Sequence, residues 1–519
     1  MAHKQEEAIS KAQNLDLGLD EKGIEPAQIP SSVPSRATSE QDDPDRDPFL
    51  VTFTSPLSSS PHHGNLNPKH WTPLQKWLAT GILSVTGFNR ILVSTIMAPA
   101  LPTIANELHM SPTTSVMSLS VYLLATAFGP LLIGPLSEMY GRRPVLHATN
   151  TWFLVWNLAC GFASSSGVLL AARLLAGLGA SAIYTLGGGV LGDVWRPEER
   201  GRSLGLYQLI PLLGSSVGPI LGGLIAAHAS WRWMFWATTI FQAVATIASV
   251  ALFRETYPPA ILRREARRLR QSTGDERYHA PSEKTVANRS LGYIWGKSLS
   301  RPLRMLLFHG IVQIQAVVCG FAYGITYLVI SSYAAMWTTR YGASTSAAGL
   351  HYLAMCTGEI LGSQLGGPAM DIVYGKLKKR RSGEGAPEFH VPLMLPGCII
   401  TVAGFLLYGW SAQTRSDWVV VDLGALLLSF GNTLTGQVLT AYVIDAYRDH
   451  TSSALAASQL VRSLTAFGFP LFAPRLYEVL GYGWGNTLLA FVSAGISLPA
   501  AVVLWTCGGR LREGIGETF

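Results

Sequence analysis

Long apolar runs alternate with short polar loops along most of the chain, and the length of these runs is the first structural signal. A helix needs about 20 mostly apolar residues to cross the hydrocarbon core of a bilayer, because every backbone amide must be satisfied within the segment. Such runs begin near Trp77, Val116, Val145, Val168, Leu204, Met234, Leu306, Ala347, Pro392, Val419, Ser453 and Thr487. The pattern predicts an all-α membrane protein with twelve transmembrane helices, spans 1 to 12.

A polar interval between the sixth and seventh runs divides the chain. We therefore predict two six-helix bundles, residues 73–253 and 305–508, joined by a linker of residues 254–304. Residues 1–72 are rich in Ser, Pro, Asp, Glu and Gln and have no apolar core of their own, which predicts a disordered tail and not a signal peptide. Residues 509–519 are expected to form a short C-terminal tail.

The orientation follows from the loops, because cytoplasmic loops retain Lys and Arg. With the N-terminus inside, the short inner loops contain Arg142, Arg143, Arg196, Arg200, Arg202, Lys376, Lys378, Lys379, Arg380, Arg381 and Arg448. The outer loops contain Arg232, Arg340, Arg415 and Arg475. Both termini are therefore predicted to be cytoplasmic. The expected location is the plasma membrane, with the vacuolar or another internal membrane as the alternative.

Composition excludes several other classes of protein. Only 14% of the residues are charged, whereas a soluble domain carries about a quarter. The net charge of +7 comes from basic clusters between apolar runs, which topology explains better than a nucleic acid partner does. The five cysteines are scattered without metal-ligand spacing, and no nucleotide motif stands in a suitable context. We predict no metal, no cofactor, no nucleic acid partner and no enzymatic activity.

Two loops carry a similar motif. GPLSEMYGR (134–142) lies between spans 2 and 3, and GPAMDIVYGK (367–376) lies between spans 8 and 9 with the same order of Gly-Pro, acid, Tyr-Gly and base. Matching loops in two six-span halves are typical of a transporter built from two parallel repeats.

The first of these loops has the residues of a latch between the two rigid halves, which would close in one state and open in another. Gly134 and Gly141 allow close backbone approach, and Glu138 is expected to face the positive N-terminal end of a neighbouring helix. Arg142 and Arg143 are expected to pair with that acid or with the acids of the next inner loop. Those acids are Asp193, Glu198 and Glu199. The alternative is a positively charged turn with a helix cap.

Small residues recur at every fourth position in span 5. Gly214, Gly218 and Gly222 form a stripe, and Pro219 and Gly223 lie beside it. A similar stripe in span 8 contains Ala354, Gly358, Gly362 and Gly366. Stripes of this kind let helices pack backbone to backbone, so spans 5 and 8 are predicted to pack on each other.

Ionisable groups at membrane depth are costly and usually line a pathway or pair with one another. The candidates for a substrate and proton pathway are Arg90, Arg173, Glu359 and Arg462, with Asp445 near the inner end of span 10. One hypothesis pairs Arg90 with Glu359, which would take up the coupling proton. A second assigns Arg90 to an anionic substrate, because guanidinium matches carboxylate. A third gives both residues structural contacts alone.

The motifs together resemble those of the major facilitator superfamily, and more narrowly those of fungal twelve-span drug:proton antiporters, which include exporters of secondary metabolites. The similarity covers roughly residues 48 to 512. It rests on GPLLIGPLSEMYGRRPV, LLAARLLAGLGAS, GSSVGPILGG, SWRWMFW, RETYPPAILRREARRLR, RPLRMLLF, YVIDAY and LVRSLTAFGFPLF. Arg90 and Glu359 stand where this family is expected to have uncharged residues.

This resemblance implies a multidrug or secondary-metabolite efflux pump that works as a proton-coupled antiporter by alternating access. It implies that Arg173 serves proton coupling or substrate contact and that spans 5 and 8 lie between the halves. Small organic substrates, protons and the lipid bilayer are the expected partners, and a monomer is expected. The alternative is a proton-coupled or facilitative transporter of an organic acid or another anionic metabolite, since a fold does not fix the direction of transport.

Overall fold

The computed structural model confirms the all-α membrane architecture. It describes residues 47, 49–53, 66–281, 283, 291–381, 385–447 and 451–513. The side chains of residues 197–202, 204–206, 208, 291–295, 297–299, 452 and 513 lie outside this description. Within the described ranges the chain is helical without strands, apart from one isolated β-bridge between Leu50 and His279.

Each predicted span corresponds to a helix. Spans 1 to 6 are Pro73–Thr95, Pro112–Tyr140, Arg142–Gly161, Ser166–Ala180 continued by Ala182–Val194, Pro197–His228 and Arg232–Leu252. Spans 7 to 10 are Gly310–Tyr341, Tyr352–Arg380, Met394–Thr414 and Trp418–Ala446. Spans 11 and 12 both lie within Thr451–Glu513, where the backbone turns at Gly481 with φ 68° and ψ 177°.

Nine helices of the described chain are long and apolar enough to cross a membrane, and one of these, Ser453–Arg512, contains both spans 11 and 12. Spans 3 and 8 fall outside that set. Span 3 carries the buried amides of Asn150 and Asn157, and span 8 carries Glu359 together with a basic C-terminal end. These two spans are therefore recognised by their position between neighbouring spans and not by hydropathy alone.

Polar residues fix where several spans begin. The Thr72 hydroxyl accepts the N–H of Gln75, whose side chain accepts the N–H of Thr72, so span 1 begins with a reciprocal capping box. Spans 2, 4 and 10 begin with simpler caps, in which the side chain of Ser111, Ser165 or Asp417 accepts one backbone N–H group.

The glycine stripe of span 5 packs on span 1, not on span 8. A Cβ atom on Gly214 would lie 2.6 Å from the Phe88 carbonyl oxygen, and one on Gly222 would collide with the Ile96 carbonyl. The backbones of the two helices are therefore in direct contact. The two stripes therefore do not meet, although spans 5 and 8 touch elsewhere, at Ser215 and Glu359. The spacing indicates a flat helix face but does not identify its partner.

The stripe of span 8 makes the equivalent contact inside the second half, on span 10. A Cβ atom on Gly362 would lie 2.8 Å from the Phe430 carbonyl oxygen, and one on Gly358 would collide with the Leu426 carbonyl. Both stripes thus hold helices together within one half of the molecule.

Part of the predicted disordered tail has a defined place against the linker. Val51 donates its N–H to the His279 carbonyl (2.9 Å), and His279 donates its N–H to the Phe49 carbonyl (3.0 Å). Val51 is buried together with Ala266 of the linker helix Pro258–Thr273. Contrary to the predicted disorder, residues 49–53 therefore form a strap across the linker. Residues 1–46 lie outside the described chain.

We expect Gly222→Ala to destabilise the protein by about 1–3 kcal/mol, because the added methyl group has no room between spans 5 and 1. The melting temperature of the purified full-length protein would measure the effect. Gly188→Ala is the matched control: Gly188 also lies inside a helix, yet nothing approaches its Cβ position within 4 Å. Equal melting temperatures for the two variants would contradict the packing described here.

Candidate functional site

The Gly134 to Arg143 loop ends span 2 and begins span 3 with a sharp turn at Gly141, where φ is 99°. The Arg142 side chain points back into the bundle. Its Nε lies 3.3 Å from the Asp193 carboxylate at the end of span 4, and its Nη1 donates to the Ser137 hydroxyl of span 2. The guanidinium also lies 4.8 Å from the ring centroid of Tyr257. Arg142 therefore ties three spans of the first half together.

Glu255, which follows span 6, is the acid that occupies the N-terminal end of span 3. Its carboxylate accepts the N–H groups of Arg142 (2.8 Å) and Arg143 (3.2 Å), and also those of Thr256 and Tyr257 (3.1 Å each). Only 7% of Glu255 is exposed. A carboxylate at this position satisfies amides that have no partner within the helix and interacts favourably with the helix dipole.

Glu138, predicted for this role, does not fill it. Its side chain is exposed and has no ion pair among the described residues. The side chains of Glu198 and Glu199 lie outside the described set, so the latch as the structure gives it consists of Arg142, Asp193 and Glu255. These residues join spans of the first half and do not connect the two halves, contrary to the prediction. The signal for Glu255 was present in the segment RETYPP, where an isolated acid ends the last span of the first half.

The second half does not repeat this turn. Gly375 lies inside the helix Tyr352–Arg380, and nothing approaches its Cβ position within 4 Å. A base nevertheless pairs with an acid at the corresponding place in the second half. His390, just before span 9, has its Nε2 3.0 Å from the Asp445 carboxylate near the end of span 10. Asp445 is thus the counterpart of Asp193, at the same end of the helices.

Arg173 is held by backbone. Its guanidinium donates to the carbonyls of Val93 (2.8 Å), Ser118 (3.2 Å) and Leu119 (3.3 Å), and it lies 4.6 Å from the ring centroid of Tyr122. The side chain is completely buried. In this structure Arg173 therefore joins span 4 to spans 1 and 2.

Arg90 and Glu359 do not pair in this structure. Arg90 donates to the Asn150 side-chain oxygen and to the Ala180 carbonyl (3.4 Å), both within the first half. Glu359 instead lies 2.9 Å from the hydroxyl of Ser215. Charge complementarity suggested the pair, but a neutral amide in span 3 and a hydroxyl in span 5 are the nearer partners.

Hydrogen bonds between side chains join the two halves, and three of them lie in well-defined pairs of described residues. They are Ser94 with Tyr327 (3.1 Å), Thr126 with Ser463 (3.0 Å) and Ser215 with Glu359 (2.9 Å). These pairs connect span 1 to span 7, span 2 to span 11 and span 5 to span 8. We call these six residues the central layer. Glu359 is the carboxylic acid among them.

Arg462, in span 11, faces the central layer. Its guanidinium lies 4.6 Å from the ring centroid of Tyr323, and its buried Nε has no hydrogen-bond partner. Tyr184 of the first half interacts with both Arg462 and Tyr323. The arrangement brings polar aromatic groups of span 4 and span 7 around a cation of span 11.

At the end remote from the latch, span 5 closely contacts the short helix Thr345–Leu350, which precedes span 8. A Cβ atom on Gly223 would lie 2.8 Å from the Thr345 carbonyl oxygen, and one on Gly349 would lie 2.8 Å from the Pro219 carbonyl oxygen. The backbones of the two halves are thus in contact here. Pro219 and Gly223 therefore close this end of the central layer in the state that the structure represents.

We expect Gly141→Ala to destabilise the protein by about 1–3 kcal/mol, because alanine is strained at φ 99° and its methyl group would lie 2.5 Å from the Glu255 carboxylate. The melting temperature of the full-length protein measures this. The matched control is Gly375→Ala in the second loop, where the helix continues and alanine is favoured. If both variants melt together, the turn at Gly141 does not depend on glycine.

Comparisons with known proteins agree on one family. The family model described as Major Facilitator Superfamily matches residues 83–470. The chain is 56% identical to a protein of Aspergillus flavus described as "Probable efflux pump mfs2", over 80% of this chain and 98% of the relative. It is 38% identical to "Efflux pump vrtL" of Penicillium aethiopicum, over 93% of this chain and 94% of the relative.

Solved structures give the same fold. The proton:xylose symporter XylE matches with a TM-score of 0.61 at 15% identity, over 84% of this chain and 96% of that one. The human organic anion transporter MFSD10 matches with a TM-score of 0.58 at 16% identity, over 84% and 100% of the two chains. At these identities the likeness concerns the fold alone.

Proposed function

The chain belongs to the Major Facilitator Superfamily and is a multi-pass membrane transporter, not an enzyme, and from this premise we propose that it is a proton-coupled exporter of small organic molecules working by alternating access. Export is supported by the relatives described as efflux pumps, one of them 56% identical. The substrates are then drugs, toxins or secondary metabolites.

The hydrogen bond between Ser215 and Glu359 is the observation that carries the proton-coupling proposal. It connects spans 5 and 8, which belong to different halves, and an ionisable group at membrane depth is a strong candidate for a proton carrier. The Ser215 hydroxyl also lies 2.7 Å from the Leu212 carbonyl. A hydroxyl has one hydrogen and cannot donate fully to both acceptors.

The protonation state of Glu359 then decides the direction of this bond. When the carboxyl is ionised, Ser215 donates to it. When it is protonated, the carboxyl donates to Ser215, whose hydroxyl is free to donate to Leu212. A charged hydrogen bond is thereby exchanged for two neutral ones, so proton uptake changes the strength of one of the contacts that join the halves.

Alternating access would use the contacts at both ends of the spans. The close contact of Pro219 and Gly223 with Gly349 opens in the other state, while Arg142 and Asp193 keep spans 2 to 4 together as the first half moves. The proton gradient supplies roughly 3–4 kcal/mol per proton for about 100 mV and one pH unit. That amount sustains a few-hundred-fold accumulation of a neutral substrate.

The basic inner loops support an orientation with both termini in the cytoplasm, and we propose the plasma membrane as the site and the monomer as the working unit. We expect epitope tags at the two termini to be equally protected from antibody in intact cells and equally exposed after permeabilisation. A single tag that is accessible in intact cells would contradict the proposed topology.

We expect Glu359→Gln to abolish proton-driven transport, because glutamine is neutral at every pH and the Ser215 bond can no longer change. In proteoliposomes with an imposed pH gradient, the substrate accumulation ratio should fall from far above one to about one, while gradient-free exchange persists. The substrate would first be selected by an efflux screen in pump-deficient yeast with a panel of drugs and metabolites.

Glu478→Gln is the matched control. Glu478 lies in an exposed i,i+3 pair with Arg475, so this variant should accumulate substrate like the unaltered protein. Gradient-driven accumulation by Glu359→Gln at the level of this control would refute the coupling role of Glu359. Accumulation by the unaltered protein that is insensitive to a proton uncoupler would refute proton coupling altogether.

A further inference from the structure

The charges at membrane depth are unbalanced among the described residues. Arg90, Arg173 and Arg462 face a single acid, Glu359, and no ion pair joins any of these arginines to a carboxylate. Arg173 has three carbonyl partners, so its donors are largely satisfied. Arg90 and Arg462 have fewer partners, and an arginine buried without an anion is expensive.

Arg90 is 2% exposed and its Nε has no hydrogen-bond partner. It lines a small cavity together with Ser94, Tyr122, Thr126 and Tyr184. Ser94 and Thr126 belong to the central layer, so this cavity lies directly against the contacts between the halves. The cavity is bordered by hydroxyl groups and a guanidinium, and none of its lining residues is an acid.

Arg462 approaches the same region from the second half. Its Nε is also buried without a partner. The next residue, Ser463, bonds to Thr126 of the Arg90 cavity (3.0 Å). Tyr323, against which Arg462 lies, packs 5.2 Å from Tyr327, which bonds to Ser94 of the same cavity. Tyr184 keeps 37% of its surface exposed although it lines the Arg90 cavity. Each half thus has a guanidinium N–H group without a partner. Tyr184, which is partly exposed, lies near both arginines.

We propose that Arg90 and Arg462 form an anion-binding site that takes the carboxylate of an aromatic organic acid, with Tyr184 as an additional donor. This inference rests on the proposed transport function and names its substrate class. Guanidinium groups bind carboxylates through charge-assisted hydrogen bonds. The ring of Tyr122, which lines the Arg90 cavity, and the ring of Tyr323, which lies against Arg462, provide apolar surface for the rest of the ligand.

Binding an anion there changes contacts between the halves as well. One arginine belongs to span 1 and the other to span 11, so a carboxylate held by both would attract the two halves to each other. Without the anion, the two cations repel. An occupied site therefore favours a closed central layer. The substrate then binds the closed state more strongly than the open one, as it must in order to shift the equilibrium between them.

The test is dye exchange by the full-length protein in proteoliposomes without any ion gradient. Fluorescein and rhodamine 123 share a xanthene ring system, but fluorescein is an anion and rhodamine 123 a cation. We expect fluorescein to exchange about tenfold faster or more. Arg90→Gln and Arg462→Gln should each remove most of that difference, whereas Arg475→Gln, an exposed arginine outside the site, should not.

A second measurement on the unaltered protein does not depend on how the variants fold. Benzoate should slow fluorescein exchange, and benzamide, which has the same ring without the charge, should not. Faster exchange of rhodamine, equal competition by benzamide, or exchange of neither dye would overturn the anion site. Because the assay uses no gradient, a failure of proton coupling leaves its result intact, and rhodamine exchange alone would leave the exporter proposal standing.

Discussion

Direct backbone contact between helices within each half is the constraint on which the rest of this structure depends. Lipid chains are as apolar as leucine, so helices in a bilayer gain little from apolar burial and must be held by close packing and hydrogen bonds. Gly214 and Gly222 place span 5 on the carbonyls of span 1, and Gly358 and Gly362 place span 8 on those of span 10. A helix packed in this way cannot shift without collision, so each half tends to move as a unit.

The contacts between the halves are different in kind. Among the described residues they include three hydrogen bonds between side chains and a short stretch of backbone contact where Gly223 meets Thr345. Hydrogen bonds between membrane helices contribute on average about 0.6 kcal/mol each. A set of this size can be broken and remade by a ligand or proton worth a few kcal/mol, whereas the glycine contacts inside a half cannot.

The sequence predicted the spans well because hydropathy and length are local properties. It also offered Asp193 as one of several possible partners of Arg142, and the structure pairs these two residues. It missed the role of Glu255, which lies 113 positions from Arg142 along the chain and belongs to no shared motif. Partner choice was the general failure: spacing indicates a flat face in span 5, but only the three-dimensional arrangement selects span 1 over span 8.

The two similar loops show why a sequence repeat need not be a structural one. After Gly141 the chain reads RRPV. The N–H groups of Arg142 and Arg143 bond to Glu255 and Pro144 has no N–H group, so none of the three continues the hydrogen bonds of span 2, which ends there. After Gly375 it reads KLKKR, which contains strong helix formers, and span 8 continues to Arg380. The residues that differ after the glycine, and not the matching residues before it, determine the turn.

The base that pairs with an acid also differs between the halves. Arg142 pairs with Asp193 at the end of span 4, and His390 pairs with Asp445 near the end of span 10. Arg142 carries a fixed positive charge, so it always offers Asp193 a charged donor. His390 can be neutral and still donate from Nε2 to Asp445, and its Nδ1 has no hydrogen-bond partner, which suits a neutral ring with its hydrogen on Nε2. The second half can therefore keep the same connection without a fixed positive charge. Two halves with the same helix arrangement thus hold their corresponding ends by different chemistry: a guanidinium donor in the first and an imidazole donor in the second.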